Sequence, residues 1–170
     1  MTHDSIHDRA TTAPVSERIM DVLVNRINSA NIADVKVIRP DREGKNIQPE
    51  HGKIVAIQRS ITPNDAITHH GNPIAKGFNM EVHLRCFVRN QNAESNEYDS
   101  VCNWIAAEVH RAITNPPNDS LWYRMGSLAI NTFLGGQFPL TTDTGMVVGV
   151  VVPLTIQFRV SENNPYEVRA

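Results

Sequence analysis

The chain has 170 residues, of which 41% are hydrophobic and 20% are charged, and its formal net charge is −2. These values are typical of one folded domain and not of a disordered chain, and they lack the basic excess with which general nucleic-acid binders neutralise phosphates. The two cysteines, Cys86 and Cys102, do not form a CxxC motif, so we expect no disulfide framework and a reducing site of folding.

The N-terminal sequence MTHDSIHDRATTAP is polar and has no periodic pattern. It predicts a flexible arm over residues 1–13, followed by a single domain over residues 14–170. The arm lacks the apolar segment of a secretory signal. The longest apolar run, Met146 to Leu154, is far shorter than the ~20 residues that a membrane helix needs, so we expect no membrane contact.

The first half of the domain predicts one helix and two strands. Apolar residues recur at helical spacing over Val15–Ile27, with Arg26 among the polar positions, so we predict an amphipathic helix of about four turns. Short strands are predicted at Val35–Arg39 and Lys53–Ser60, with a polar loop between them. The segment Ile61–Gly77 contains two prolines and two glycines, and it is predicted to be a long loop.

The second half predicts two long strands and a helix. Residues Phe78–Arg89 alternate between apolar and polar, which indicates a strand with one face on a core. An apolar stripe over Glu97–Thr114 predicts the second helix, whereas Ser120–Leu140 shows no clear period apart from a possible strand in SLAINTF. Every even position of Met146–Val160 is apolar, so one strand is predicted to continue through Pro153, which should lie at an edge or a bulge.

The order of these elements predicts an α+β domain in which two helices pack on one face of a mostly antiparallel sheet. The first half of the last strand is apolar on both sides, because Val147 and Val151 are among its odd positions. We therefore expect these two side chains to be covered either by a helix of the same chain or by another subunit.

No catalytic or metal-binding motif emerges from the sequence. It contains no GxSxG, no P-loop and no GxGxxG, and the adjacent His69 and His70 lack the spacing with which histidines chelate one ion. Cys86 and Cys102 fall on apolar faces, as expected of buried thiols and not of nucleophiles. We therefore predict no enzymatic activity, no cofactor and no metal.

Four sequence features follow one another in a characteristic order. They are the helix VSERIMDVLVNRI, the alternating strand FNMEVHLRCFV, the helix NEYDSVCNWIAAEVHRAI after a polar linker, and a long strand that closes with TIQFRVSENNPYEV. In this order they resemble the tail terminator proteins of tailed bacteriophages, the group that includes the minor tail protein U type. The resemblance covers Val15–Val168.

The resemblance implies a virion structural protein that forms a ring, typically a hexamer, on the head-proximal end of the tail tube. Such a ring stops tube polymerisation and joins the tube to the head connector. The implied partners are further copies of the chain, the tail tube protein and the head-tail connector protein, and DNA passes through the lumen without specific binding. The implied location is the tail or neck of the virion, after assembly in the host cytoplasm.

This expectation suggests candidate contact residues. The candidate subunit contacts are Val147, Val151, Thr155, Gln157, Arg159, His69 and His70, and the candidate lumen residues are Arg85 and Arg89. We also expect the loops Ile61–Gly77 and Gly135–Thr144 to contact neighbours, and the exposed sheet edges to pair across subunits.

Two alternatives remain open. The chain could be another phage neck or head-tail connector protein, a stopper or an adaptor, which would bind the portal or an adaptor in place of the tube. It could also be an unrelated small-ligand-binding or enzymatic α+β domain, which should contain a deep apolar pocket with convergent polar groups.

Overall fold

The computed structural model describes residues 13–39, 53–88, 95–141 and 147–169, and it describes side chains throughout these ranges except at 95–98 and 147–148. Almost all of the predicted arm, and the predicted polar loop after the first short strand, lie outside the described residues. The described helices are α1 (Val15–Ser29) and α2 (Ser95–Thr114). The described strands are β1 (Val35–Ile38), β2 (Lys53–Pro63), β3 (Ala75–Val88), β4 (Asn131–Leu134), β5 (Phe138–Thr141), β6 (Val147–Ser161) and β7 (Asn164–Val168).

The seven described strands form one sheet. Its order is β1-β2-β3-β6-β4, and β5 and β7 also pair with β6. The β1–β2 pair is parallel, and the other described pairs are antiparallel. The predicted α+β architecture, with two helices against a mostly antiparallel sheet, is therefore confirmed.

Both helices bury their apolar stripes against the same face of the sheet. That face carries the even-numbered residues of β3 and β6, because side chains alternate across a strand. The core between helices and sheet is filled by aliphatic side chains, which include Ile19 and Leu23 from α1, Ile105 and Val109 from α2, and Leu84, Val152 and Leu154 from the sheet.

Most of the sheet is attached to β6. One side of this strand pairs with β3, and the other side pairs with β5, β4 and β7 in turn. On that second side the carbonyls of Pro153, Gln157 and Arg159 accept N–H groups from Gly135 (2.9 Å), Ile130 (2.7 Å) and Arg169 (3.2 Å). Because successive backbone groups of a strand point in opposite directions, the odd residues of β6 bond away from β3 and the even residues bond to it.

Pro153 lies where the partners of β6 change. Its nitrogen points away from β3, toward the short segment that joins β4 to β5, so the missing N–H leaves no ladder partner unsatisfied. A Cβ on Gly135 would lie 2.9 Å from Cγ of the proline, so this close approach requires glycine. The proline is therefore inside the sheet, and the prediction of an edge or a bulge was wrong.

The β2–β3 hairpin is longer than the sequence predicts. β2 runs to Pro63 and β3 begins at Ala75, so the prediction of a loop over Ile61–Gly77 was wrong at both ends. The shorter connection contains one 3-10 turn, Asp65–Ile67. The extra strand length forms because β6 also extends that far, with Ser161 opposite Ala75.

Arg26 is buried, although the sequence pattern places it on the polar side of α1. Its guanidinium donates to the Trp122 carbonyl at 2.8 Å, to the Ile113 carbonyl at 3.4 Å and to the Asp119 carboxylate. Burial lowers the pKa of Arg26, and the charge of Asp119 opposes this effect. Arg26 thus connects α1 to the last turn of α2 and to the segment that follows it.

Replacing Arg26 with methionine should lower the free energy of unfolding by about 1–3 kcal/mol, because buried acceptors would lose their donor. Arg18→Met, on the same helix, is the matched control, since Arg18 makes one exposed bond, to the Tyr166 carbonyl. We expect the control to stay within about 0.5 kcal/mol of the wild type. Urea denaturation measures both changes, and equal midpoints for the two variants would contradict the role of Arg26.

Gly149 should tolerate no side chain. A Cβ at this position would lie 2.5 Å from the Cys86 carbonyl oxygen and 3.0 Å from Cβ of Phe87, so β3 and β6 would have to separate. We expect Gly149→Ala to cost about 1–3 kcal/mol of stability by overpacking. Gly136→Ala is the control, because a Cβ there meets nothing within 4 Å. Thermal unfolding followed by circular dichroism should show a lower midpoint for the first variant alone.

Candidate functional site: the helix-free face of the sheet

The face of the sheet opposite the two described helices is called here the helix-free face. It carries the odd-numbered side chains of β3 and β6, together with those that lie beside them in register on β2, β4 and β5. Its residues on β3, from Asn79 to Phe87, are half-buried. Several of the residues that the sequence suggests for subunit contacts lie on this face.

One half of the face is a network of polar side chains. The Asn79 amide oxygen accepts from the side-chain amides of Asn64 (2.8 Å) and Gln157 (3.4 Å). The Thr155 hydroxyl donates to the Glu81 carboxylate at 3.0 Å. Thr155 and Gln157 are therefore half-buried and held by cross-strand hydrogen bonds within their own chain.

Arg159 and the two loop histidines lie toward the tip of the β2–β3 hairpin. Arg159 donates from Nε to the Ile67 carbonyl, so it fixes the hairpin connection to β6. His69 exchanges both of its backbone hydrogen bonds with Ala75 at 2.9 Å, and this pairing closes the tip. The side chains of His69 and His70 are exposed, so these two are the most accessible of the proposed contact residues whose side chains the structure describes.

Val151 is covered by side chains of its own sheet. It is 2% exposed, and its neighbours in register are Arg85 on β3 and Phe138 on β5. The rings of His83 and Phe138 meet edge to face, with centroids 5.8 Å apart, although β6 runs between their strands. The two rings therefore lean over β6. Val151 is therefore buried without a helix or another subunit on this face, which were the two covers expected from the sequence. The side chain of Val147 lies outside the described residues.

Two phenylalanines remain exposed on this face. Phe133 is 49% exposed and Phe138 is 42% exposed, although both lie in strands. They face Thr155 and Val151 of β6 in register, which places them on the helix-free face about 13 Å apart along the strand direction. They are two separate apolar side chains on one face, each exposed enough to be covered by a partner.

Arg85 is the charged residue of this face that lacks a partner. It is half-buried, and within the described part of the chain it has no hydrogen bond or ion pair. A guanidinium that is partly removed from water without an acceptor is unfavourable, so this residue is suited to meet a carboxylate from outside. Arg89, the other candidate lumen residue, lies outside the described residues.

The edge of the sheet at β2 is partly protected against strand pairing. The pairing of β2 with β1 ends at Ala56. Beyond this residue, the odd-numbered residues of β2 point their backbone N–H and C=O groups away from β3, because these groups alternate along β2 as they do along β6. They include Arg59, whose side chain is bound by Ser16 and Glu17, and Pro63, which has no N–H. Charged residues and prolines at such positions are devices that prevent edge pairing.

The opposite edge carries similar devices. The outward N–H of Thr132 on β4 donates to the side chain of Asn131 at 2.9 Å, and the outward position of β5 is Pro139. Both edges thus lack part of the donor row that an added strand would need. The sequence analysis expects exposed sheet edges to pair across subunits. The missing donors disfavour such pairing, and contacts through side chains are favoured instead.

Both thiols are buried and free, as the sequence predicts. Burial raises the pKa of Cys86 to about 12, with a further increase from the neighbouring Cys102. Burial also raises the pKa of Cys102, against a hydrogen bond from the backbone of Val88. Neither thiol has the lowered pKa of a nucleophile. Among the residues that the structure describes, no group of three or more His, Cys, Asp or Glu is arranged to hold a metal ion.

The sequence matches no protein-family model and no curated protein sequence. None of the helices in the described ranges is long and apolar enough to cross a bilayer. Phe133 and Phe138 were missed in the sequence, since each lies in a strand of four residues without apolar alternation. The signal that was available is the turn sequence LGGQ between them, which is typical of a connection between neighbouring strands.

The free energy of unfolding should fall at alkaline pH because of Cys86. Its folded pKa lies above the ordinary thiol value of 9.0, so its contribution to stability is complete below pH 9 and is lost as the pH rises toward about 12. Cys86→Ala should flatten that part of the stability profile relative to wild type, although it lowers stability at neutral pH. Urea midpoints measured over the alkaline range test this, and parallel profiles for the two proteins would contradict it.

Proposed function

We propose that this protein is a non-enzymatic structural subunit of a bacteriophage tail, a terminator that forms a ring and caps the tail tube at its head-proximal end. The proposal rests chiefly on the order of elements. A helix, a long alternating strand, a second helix and a long strand that closes with TIQFRVSENNPYEV follow one another in the order on which the resemblance to tail terminators is based. A protein of this class acts by shape and contact.

The surface supports a contact function. The space between helices and sheet is filled by apolar side chains, as in a structural domain. The described surface instead offers the helix-free face and an exposed, hydrogen-bonded hairpin tip with His69 and His70. Capping requires one surface that repeats the contact of a tube subunit and another that accepts no further subunit. We assign the first of these surfaces to the hairpin tip, because it is closed by backbone hydrogen bonds and carries exposed side chains.

A ring closes through head-to-tail contacts between unlike surfaces. Because both sheet edges contain prolines or satisfied donors at outward positions, these contacts should be made by side chains and not by strand addition. The subunit should therefore assemble reversibly and remain folded when alone. The same reasoning applies to a stopper or adaptor, which differs from a terminator in the neighbour that it binds.

The decisive experiment mixes the purified chain with the tail tube protein encoded in the same genome. We expect addition of the chain to stop tube growth, so that negative-stain electron microscopy shows shorter tubes with a density at one end. The head-tail connector protein from that genome is tested in parallel. Binding to the connector alone would indicate a stopper or an adaptor, and binding to neither would reject the proposal.

His69→Glu combined with His70→Glu should weaken capping at least tenfold, because two exposed side chains of the hairpin tip acquire negative charge. His110→Glu on α2, also exposed, is the matched control and should cap as wild type does. The tube-length assay measures the effect, and circular dichroism verifies that both proteins fold. Equal capping by the two variants would exclude the hairpin tip from the tube contact.

A further inference from the structure

We propose that the helix-free face binds the same face of a second copy of this chain. In this pairing a two-fold axis runs across the strands, along the row that contains His83 and Pro153, which are opposite each other in register. Two sheets that pack face to face lie about 10 Å apart with their strands roughly aligned, and the half-buried helix-free face can pack in this way.

The rows on either side of this axis are complementary. One row holds Arg85, Val151 and Phe138, and the other row, at the same distance from the axis, holds Glu81, Thr155 and Phe133. A two-fold rotation about the axis exchanges the rows and keeps each strand above its own copy. Every residue of one row then faces the corresponding residue of the other row in the second copy, as an isologous contact requires.

The charges match under this rotation. Arg85 of one copy faces Glu81 of the other, and the same pair forms again on the far side of the axis. Within one chain the two residues are four positions apart on β3, about 13 Å, which is too far for an ion pair. The pairing gives Arg85 the carboxylate that it lacks within the described chain. The Glu81 carboxylate, which accepts one hydrogen bond from Thr155, has free lone pairs to receive it.

The apolar groups match as well. Phe138 of one copy faces Phe133 of the other, so four half-exposed rings are removed from water at two symmetric positions. The remaining members of the rows are Val151, which is already buried, and Thr155, which is small enough to lie beneath the opposite sheet. Within these two rows the phenylalanine rings face each other, Val151 faces Thr155, and no like charges are opposed.

The area of the helix-free face determines how strongly we expect the two copies to bind each other. The face is four strands wide and about eight residues long. It can therefore bury about 500 Å² on each copy, or about 1,000 Å² in the pair. This area is at the lower limit for a specific protein–protein contact, so a dimer in reversible exchange with monomer is expected. The prolines and satisfied donors at the sheet edges favour this face over edge pairing.

This contact does not depend on the proposed ring. A ring closes through unlike surfaces, whereas the two-fold pair uses one surface twice, and it should form in the absence of tube protein. Failure to cap tubes would leave the pair standing, and failure to dimerise would leave the capping proposal standing.

Analytical ultracentrifugation of the full chain over a hundredfold range of concentration should show a monomer–dimer equilibrium. Arg85→Glu should weaken dimerisation at least tenfold, because it places like charges opposite one another at two sites. Glu81→Arg should do the same. The double variant Glu81→Arg with Arg85→Glu should recover most of the affinity, because the exchanged charges again face opposite charges across the axis.

Two matched controls accompany these variants. Arg111→Glu reverses an exposed charge on α2, and Leu121→Ser removes a side chain that is 48% exposed but lies outside the strands. Both should dimerise as wild type does, whereas Phe133→Ser should not. Circular dichroism establishes that each variant folds. A wild-type monomer at all concentrations, a dimer that Arg85→Glu and Phe133→Ser leave intact, or a double variant no tighter than its parents would each overturn the proposal.

Discussion

The sheet depends on one strand, β6, whose backbone hydrogen bonds are divided between two sets of partners. Even-numbered residues bond to β3, and odd-numbered residues bond in turn to β5, β4 and β7. A proline in an interior strand is tolerated only where the neighbouring strand on one side is interrupted, because it has no N–H to donate. Pro153 lies at such a point, between the segments of β6 that pair with β5 and with β4. Close pairing with β3 likewise explains the glycine at position 149, where a side chain would meet the Cys86 carbonyl.

The same alternation gives the sheet two chemically different faces. Even positions are apolar and are covered by α1 and α2, whereas odd positions are mixed, with Thr155 bonded to Glu81 and Gln157 to Asn79 across the strands. Side chains that are already held by neighbours lose little conformational entropy when a partner binds. Because the prolines and satisfied donors restrict the edges, the helix-free face and the hairpin tip are the surfaces best prepared for contacts.

The features predictable from sequence are those in which burial follows a regular period. Strands β3 and β6 were found because a period of two persists along a strand with one buried side. Strands β4 and β5 are too short to show a period. Arg26 was assigned to the polar side by its charge, although its position three residues after Leu23 puts it on the apolar stripe. The cover over Val151 depends on strand register, which no local pattern reveals.

The position of β6 in the chain has a consequence for biosynthesis. The strand that joins the two halves of the sheet follows both helices and five of the other strands in the chain, so it emerges from the ribosome after them. Until β6 is made, twelve residues of β3 lack the strand that they pair with on that side, and the helices can pack against only part of the sheet. Such a nascent chain exposes apolar strand edges and depends on distant contacts, so protection by a chaperone during translation should raise its yield.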